Sequence, residues 1–465
     1  MSCAAWLQEA LLYDLPSERR ISYYCFGIAL GISLATFEFI GPLKTAVFVN
    51  TVGTAQEPVA RTCVLVCLLP LLMLYSIAVT SLNNGKLLAA VMNGFYALVF
   101  LAIAFALPAS HGEAKARVAW TLYFAAETKG VILMPMMWSI VADVSTSELS
   151  KKAYPFIFFV GQLGGIAGSC MAIKASSLGG EVGLLLIQSV ALVAIAVLIW
   201  VACQVLEGVE EQETASLLPA PPPEVAVESA RDNESRWSQL RTAVSARLWE
   251  GVEGLWLLTT RPYALMTFWV SYAVLMPRTM LDYQNTVLVK AAYPKSMDQI
   301  GYFGRMLLIQ HLGVCVITLL GTQQLIELVG VAKVLLVLPM STLLCVWMIC
   351  VDYRLLTSTV ACITCSTIAY SLNSPCKEIL FVRTSRDIKY KAKSWSEMYG
   401  NNLMKSLGAQ INLWVNNESR LCNPHCFHPG FTASVAFLWT AGWIAVVDNV
   451  GREFQELDAK NKIVS

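Results

Sequence analysis

Apolar stretches of about 20 residues recur along the whole 465-residue chain, each long enough to cross a ~30 Å hydrocarbon layer as a helix. Nothing else constrains the fold as strongly, because a backbone in lipid must satisfy its own hydrogen bonds, and a helix does so within one segment. The stretches fall at about 22–43, 62–81, 87–107, 118–141, 155–174 and 181–204. They resume at about 263–281, 301–321, 329–351, 355–372, 403–416 and 430–449. With 56% hydrophobic and only 14% charged residues, the chain lacks the polar surface that a water-soluble protein of this size needs. The expectation is an all-α polytopic membrane protein of about twelve transmembrane helices. A net charge of +1 gives no basic excess that would point to nucleic acid.

Between the two sets lies a segment of different character, 207–232, with paired acids and the run Pro219-Ala220-Pro221-Pro222-Pro223, which is linker composition. Beyond it Trp237, Leu240, Val244, Leu248, Val252 and Leu255 recur at three- and four-residue steps, the pattern of an amphipathic helix. Two sets of six spans about a long linker predict two six-helix halves, the major-facilitator-like arrangement. The expected divisions are a cytoplasmic N-terminal segment over 1–21, a first half over 22–205, a cytoplasmic linker over 206–261, a second half over 262–450 and a cytoplasmic tail over 451–465. With both termini cytoplasmic, about nineteen of the 33 Lys and Arg fall inside, about nine outside and about five within spans, as the positive-inside rule requires. The loops after the fourth and tenth spans echo each other, TSELSKK at 146–152 and TSRDIK at 384–389, as an internal repeat would. No cleavable signal or transit-peptide pattern precedes residue 22, which favours a bacterial inner membrane over a plastid envelope.

Charges inside the spans call for a reason, since each costs at least ~2.5–3.5 kcal/mol at mid-bilayer. Glu127 and Lys129, in the otherwise apolar fourth span, stand about 200° apart around a helix, so each is expected to find its own partner on another helix or on a ligand. Lys44 and Asp282 are expected at the ends of the first span of each half. Arg278 and Asp282 are four apart and share a helix face, and Lys333 is placed to snorkel to the headgroups. The densest run of cations is the stretch 373–405, which contains Lys377, Arg383, Arg386, Lys389, Lys391, Lys393 and Lys405 and is read as a cytoplasmic basic island. Lysine as a point charge and arginine as a fork suit a multiply charged oxyanion such as a phosphate chain. Tyr123, Trp138, Tyr283 and Trp395 offer rings for stacking a base, although a membrane interface accounts for Trp and Tyr equally well.

The cysteines within the spans read as small apolar side chains, and no disulfide framework is expected. Cys422, His425, Cys426 and His428 match no standard zinc spacing and are interrupted by Pro424 and Pro429, so an ordinary loop is expected there, with neither metal nor cofactor. HExxH, GxSxG and Walker motifs are lacking, which disfavours an enzyme, such as one acting on phospholipid.

Four stretches together resemble the ATP/ADP translocase family, the nucleotide transporters of plastids and obligate intracellular bacteria. PCKEILFV at 375–382 followed by TSRDIKYKAKSW at 384–395 resembles the family's signature region. PLKTAVFV at 42–49 resembles the lysine-bearing end of its first helix. Glu127, Gly130, Trp138 and Ala153-Tyr154-Pro155 resemble its fourth-helix block, and DYQNTVLVKAAYP at 282–294 the block that opens its second half. The resemblance implies a twelve-helix carrier that exchanges ATP for ADP or imports nucleotides by alternating access. It also implies that Lys44, Glu127, Asp282 and a lysine among Lys377, Lys389, Lys391 and Lys393 contact the substrate. Lys129 joins this set from the reading of buried charge. The chain differs from the family at Gly41-Pro42, Lys129 and Asp282, which widens the expected cargo to other nucleotide-like anions. A carrier working as a monomer in the lipid bilayer is expected. The alternative is a proton-coupled carrier of a different solute, with Glu127 and Asp282 as the relay.

Overall fold

The computed structural model describes residues 16–82, 84–143, 147–217, 255–320, 322–382, 384–385, 388, 392–415 and 429–460. The amphipathic stretch up to residue 254, the Cys/His tract at 422–428, Lys389 and Lys391 lie outside the described residues.

Each predicted span meets a helix. The first six are α1 (Ser17–Thr51), α2 (Glu57–Leu82), α3 (Gly85–Ala109), α4 (Gly112–Asp143), α5 (Ser147–Ile173) and α6 (Gly180–Leu217). The second series is α7 (Pro262–Tyr272), α8 (Leu275–Ala292), α9 (Ser296–Leu320), α10 (Thr322–Val329), α11 (Val331–Val351), α12 (Leu355–Ile368), α13 (Ser374–Val382), α14 (Asn401–Val415) and α15 (Pro429–Ala459). Among the described residues, eight helices are long and apolar enough to cross a membrane: α1, α3, α5, α6, α9, α11, the run from α12 into α13, and α15. The remaining expected spans fall on α2, α4, the α7–α8 pair and α14.

The chain packs as two compact units. The first comprises Met1–Lys44 and Pro70–Arg247, the second Thr45–Leu69 and Leu248–Ser465. In the first unit α3 lies along α6 and α4. Asn84 caps α3, its side chain accepting from the backbone N–H groups of Lys86 and Leu87, and Lys86 ties the same end to Glu207 on α6. In the second unit α11 lies along α15 and α8 along α14, around a core that includes Tyr263, Leu338, Leu372, Leu380, Trp443 and Val447.

Several helices run further than the apolar pattern predicts, α6 as far as Leu217 in the segment expected as linker, and three of the extensions bear on candidate residues. The expected span at 263–281 is divided by a turn at Ala273–Val274 and then continues as α8 to Ala292, so Asp282 sits inside a helix and does not close one. Lys44 is likewise internal, seven residues before the end of α1 at Thr51. The span expected at 355–372 passes through a π-helical turn, Ala369–Asn373, into α13, forming one membrane-length run from Leu355 to Phe381. Lys377 therefore lies within a span, not in a cytoplasmic loop. α8 and α13 each carry a proline in the first turn, and in both the carbonyl that the proline cannot serve finds a side-chain donor. Pro277 has no N–H for Ala273, whose carbonyl accepts from Trp439 Nε1 at 2.9 Å. Pro375 has none for Ser371, whose carbonyl accepts from Thr322 Oγ1 at 3.1 Å.

Candidate functional site

In the first unit the buried charges converge on α1 and α4. Tyr123 and Glu127 are one turn apart on α4 and share a face. Lys44 on α1 donates to Glu127 Oε1, and its ammonium lies 4.6 Å from the centroid of the Tyr123 ring. The pair is mostly removed from solvent, with side-chain exposures of 14% for Lys44 and 24% for Glu127. Lys129 points to a different part of α1, as the 200° divergence demands. Its Nζ donates to Thr36 Oγ1 at 3.0 Å, and Thr36 in turn donates to the Ser33 carbonyl at 2.8 Å. With the Gln188 amide oriented by its hydrogen bonds, its oxygen accepts from Lys129 at 3.2 Å and its nitrogen donates to the Thr36 carbonyl at 3.3 Å. Lys129 is 3% exposed, so this is a lysine held by neutral acceptors in a buried place.

That difference in partners predicts a difference in response. Lys129→Met removes the desolvation of an ammonium, a gain of about 1–4 kcal/mol where buried ions have been replaced by apolar groups. It also strands the Gln188 oxygen, a loss of about 1–3 kcal/mol. The expected net change in thermal unfolding of the purified protein is within about 1 kcal/mol. A loss beyond about 3 kcal/mol would make this lysine a structural element and nothing more.

The second unit holds the remaining sequence candidates in two places. Asp282 Oδ2 is 3.8 Å from Arg278 Nε one turn earlier on α8, the pairing that their spacing suggests. Lys377 lies 3.6 Å from Glu397 and 3.8 Å from Glu378, with its ammonium 5.3 Å from the Tyr272 ring centroid. Lys393 donates to Glu378 Oε2 at 2.6 Å. Lys377 and Lys393 of the basic island thus have carboxylates beside them, and Glu378 serves both. The aromatic candidates are largely engaged with other rings. Trp138 stacks on Phe158 at 4.7 Å, and Trp395 sits 6.3 Å from Phe268 and 6.2 Å from Tyr399. Lys333 is exposed, as a snorkelling residue would be. Four residues outside the sequence candidates lie near Asp282: Arg278, Tyr370, Lys405 and Arg61. Three of them are charges that interrupt or flank otherwise apolar runs, and that was the signal available.

No family model matches the chain, and no curated protein matches its sequence. Solved structures do match its fold. The nucleoside transporter NupG is similar with a TM-score of 0.54 at 13% identity, over 90% of this chain and 99% of that one. A peptide transporter POT is similar with a TM-score of 0.58 at 11% identity, over 93% and 95%. A bacterial homolog of the human lysosomal transporter Spinster, in an inward-facing and unoccupied conformation, is similar with a TM-score of 0.55 at 10% identity, over 95% and 98%. The chain therefore shares its all-α, polytopic fold with these solved transporters.

Proposed function

We propose that this chain is a secondary-active carrier of nucleotide-like phosphorylated anions, exchanging or importing them by alternating access of two six-helix halves. The observation that carries the reading is the joining of Lys44 to Glu127 over the Tyr123 ring. The two residues are 83 positions apart, in membrane-length helices, at the positions that the resemblance to the ATP/ADP translocases marks. A charge pair in such a place has little value as a fastener, because desolvation offsets most of its attraction. It makes sense as a cation held ready for an anion, with a carboxylate that balances it while the site is empty or meets a ribose hydroxyl when it is full. The matched transporters carry cargoes of different kinds, nucleosides in one case and peptides in another, so the fold leaves the substrate to the side chains. The proposed setting is the bacterial inner membrane, with the carrier a monomer and both termini cytoplasmic.

The test is ligand-dependent stability of the detergent-purified protein against ATP, ADP, GTP, NAD and inorganic phosphate. A ligand at a hundred times its Kd stabilises the folded state by about 2.7 kcal/mol. One nucleotide is expected to raise the melting temperature selectively and then to exchange in liposomes. Silence from every nucleotide, together with uptake that depends strictly on pH, would transfer the assignment to a proton-coupled carrier using Glu127 and Asp282.

A further inference from the structure

Within the second unit, charges from three helices gather around Asp282. On α8, Arg278 and Asp282 are in loose contact at 3.8 Å, outside hydrogen-bond range. Its central carbon lies 5.4 Å from the ring centroid of Tyr370, in the π-turn that leads into α13. From α14, Lys405 is in electrostatic reach of Tyr370, Arg61, Arg278 and Asp282. The packing explains this convergence. A side chain at Gly408, three residues beyond Lys405, would come within 3.0 Å of Thr279 Cβ, and Asn412 donates to the Thr279 carbonyl at 3.3 Å, so α14 lies close along α8. Gln410 donates to Thr62 Oγ1 at 2.6 Å, which brings the start of α2, and Arg61 with it, to the same helix.

The charges do not balance. Arg61 has a well-formed partner in Glu57, Nε to Oε1 2.7 Å. Of the other three charges, Arg278 and Lys405 are cations and Asp282 is the carboxylate. Among the described residues one positive charge is left over in helices of membrane length, where an uncompensated ion is costly and usually serves a ligand or a pathway. The cluster is not fully covered by protein, with 20% of the Arg278 side chain and 30% of the Asp282 side chain exposed.

We propose that Arg278 and Lys405, with Tyr370 beside them, form a binding site for the phosphate chain of the carried anion. The guanidinium supplies paired donors, the ammonium a point charge, and Asp282 stands in for the anion when the site is empty. This rests on the reading of the chain as a carrier of phosphorylated anions. Within that reading it moves the second unit's anion site away from Lys377 and Lys393 of the basic island, where Glu378 and Glu397 already answer the charge.

The experiment measures the thermal shift of the full-length purified protein against inorganic pyrophosphate, succinate and ATP. It compares the wild type with Lys405→Gln, Arg278→Gln and Lys377→Gln, and adds labelled-nucleotide exchange in liposomes. Pyrophosphate is expected to stabilise the wild type. Lys405→Gln and Arg278→Gln should each need at least about tenfold more of it for the same shift, the loss of one charge-assisted contact, and Lys377→Gln should respond at the wild-type concentration. Either of the first two variants suffices if the other does not fold. The proposal is overturned if folded Lys405→Gln or Arg278→Gln keeps the wild-type response, if Lys377→Gln is the one that loses it, if succinate shifts the protein and pyrophosphate does not, or if nothing shifts it. Nucleotide exchange with undiminished affinity in Lys405→Gln would sink this site and leave the carrier reading standing. A Lys405-dependent pyrophosphate shift with no nucleotide binding or exchange would do the reverse.

Discussion

Lys44→Ala is expected to lower nucleotide exchange in liposomes by on the order of a hundredfold and to destabilise the protein by about 3 kcal/mol. The two losses have different origins and can be separated. The functional loss is that of one cation against phosphate, a contact worth about 1.5–3 kcal/mol, where each 1.4 kcal/mol is tenfold. The stability loss arises because Glu127, three-quarters buried, keeps its carboxylate and loses the ammonium that faces it. Stranding one member of a buried pair costs about 3–5 kcal/mol, and the lower end applies because some solvent still reaches both groups. A double variant, Lys44→Gln with Glu127→Gln, removes both charges and keeps a hydrogen-bonding pair of similar size. It is expected to recover most of the stability and none of the transport. Normal exchange by folded Lys44→Ala would remove Lys44 from the site, and a double variant that transports would show that the pair serves folding alone.

The spans were legible in the sequence because apolar runs of membrane length admit few alternatives, and each of the twelve expected runs met a helix. Angular reasoning also gave a correct negative result. Glu127 and Lys129 diverge too far to pair, and they go to Lys44 and to Thr36 respectively. What it had no means to supply was the identity of those partners, 83 and 93 residues away. The two misplaced helix ends have the same origin. The apolar pattern gives out at 281 and at 372, yet the helices continue, and Trp439 and Thr322, distant in the chain, take up the carbonyls that Pro277 and Pro375 leave free. Such rescue leaves no local trace. The expected span at 403–416 already held Lys405, but counting the residue with the cations of 373–405 drew attention from its place on a helix packed against α8, which carries Arg278 and Asp282.

Isolated charge inside a span was the more telling signal. Lys44 on α1, Glu127 with Lys129 on α4, Arg278 with Asp282 on α8 and Lys405 on α14 each interrupt apolar sequence, and a charge inside a membrane-length helix needs a partner or a ligand. The density of cations led instead to the island.

The other large effect belongs to packing. Gly164→Leu and Gly168→Leu are each expected to abolish recovery of folded, monodisperse protein. In lipid, helices gain little from burying apolar surface against one another, so they associate through close backbone approach between small residues. The first unit does this with Gly164 and Gly168 of α5, four apart on one face, set against Gly31 and Ala35 of α1. A Cβ at Gly164 would lie 2.6 Å from the Gly31 Cα, and one at Gly168 would lie 2.6 Å from the Ala35 Cα, in both cases against backbone that cannot rotate away. Overpacking of a tolerant core costs about 1–3 kcal/mol, and here the helices would have to part along a full turn. The displacement would also move Thr36 and Lys44, which α1 presents to Lys129 and Glu127, so any folded remnant should fail to bind nucleotide. Gly94 on α3 and Gly442 on α15, where an added Cβ meets nothing within 4 Å, are the matched controls. Alanine at either should be tolerated without loss, and slightly stabilising given the helix propensities. Comparable yields from Gly164→Leu and Gly94→Ala by size-exclusion chromatography would rule out the backbone contact between α1 and α5 as the element that sets the position of Lys44.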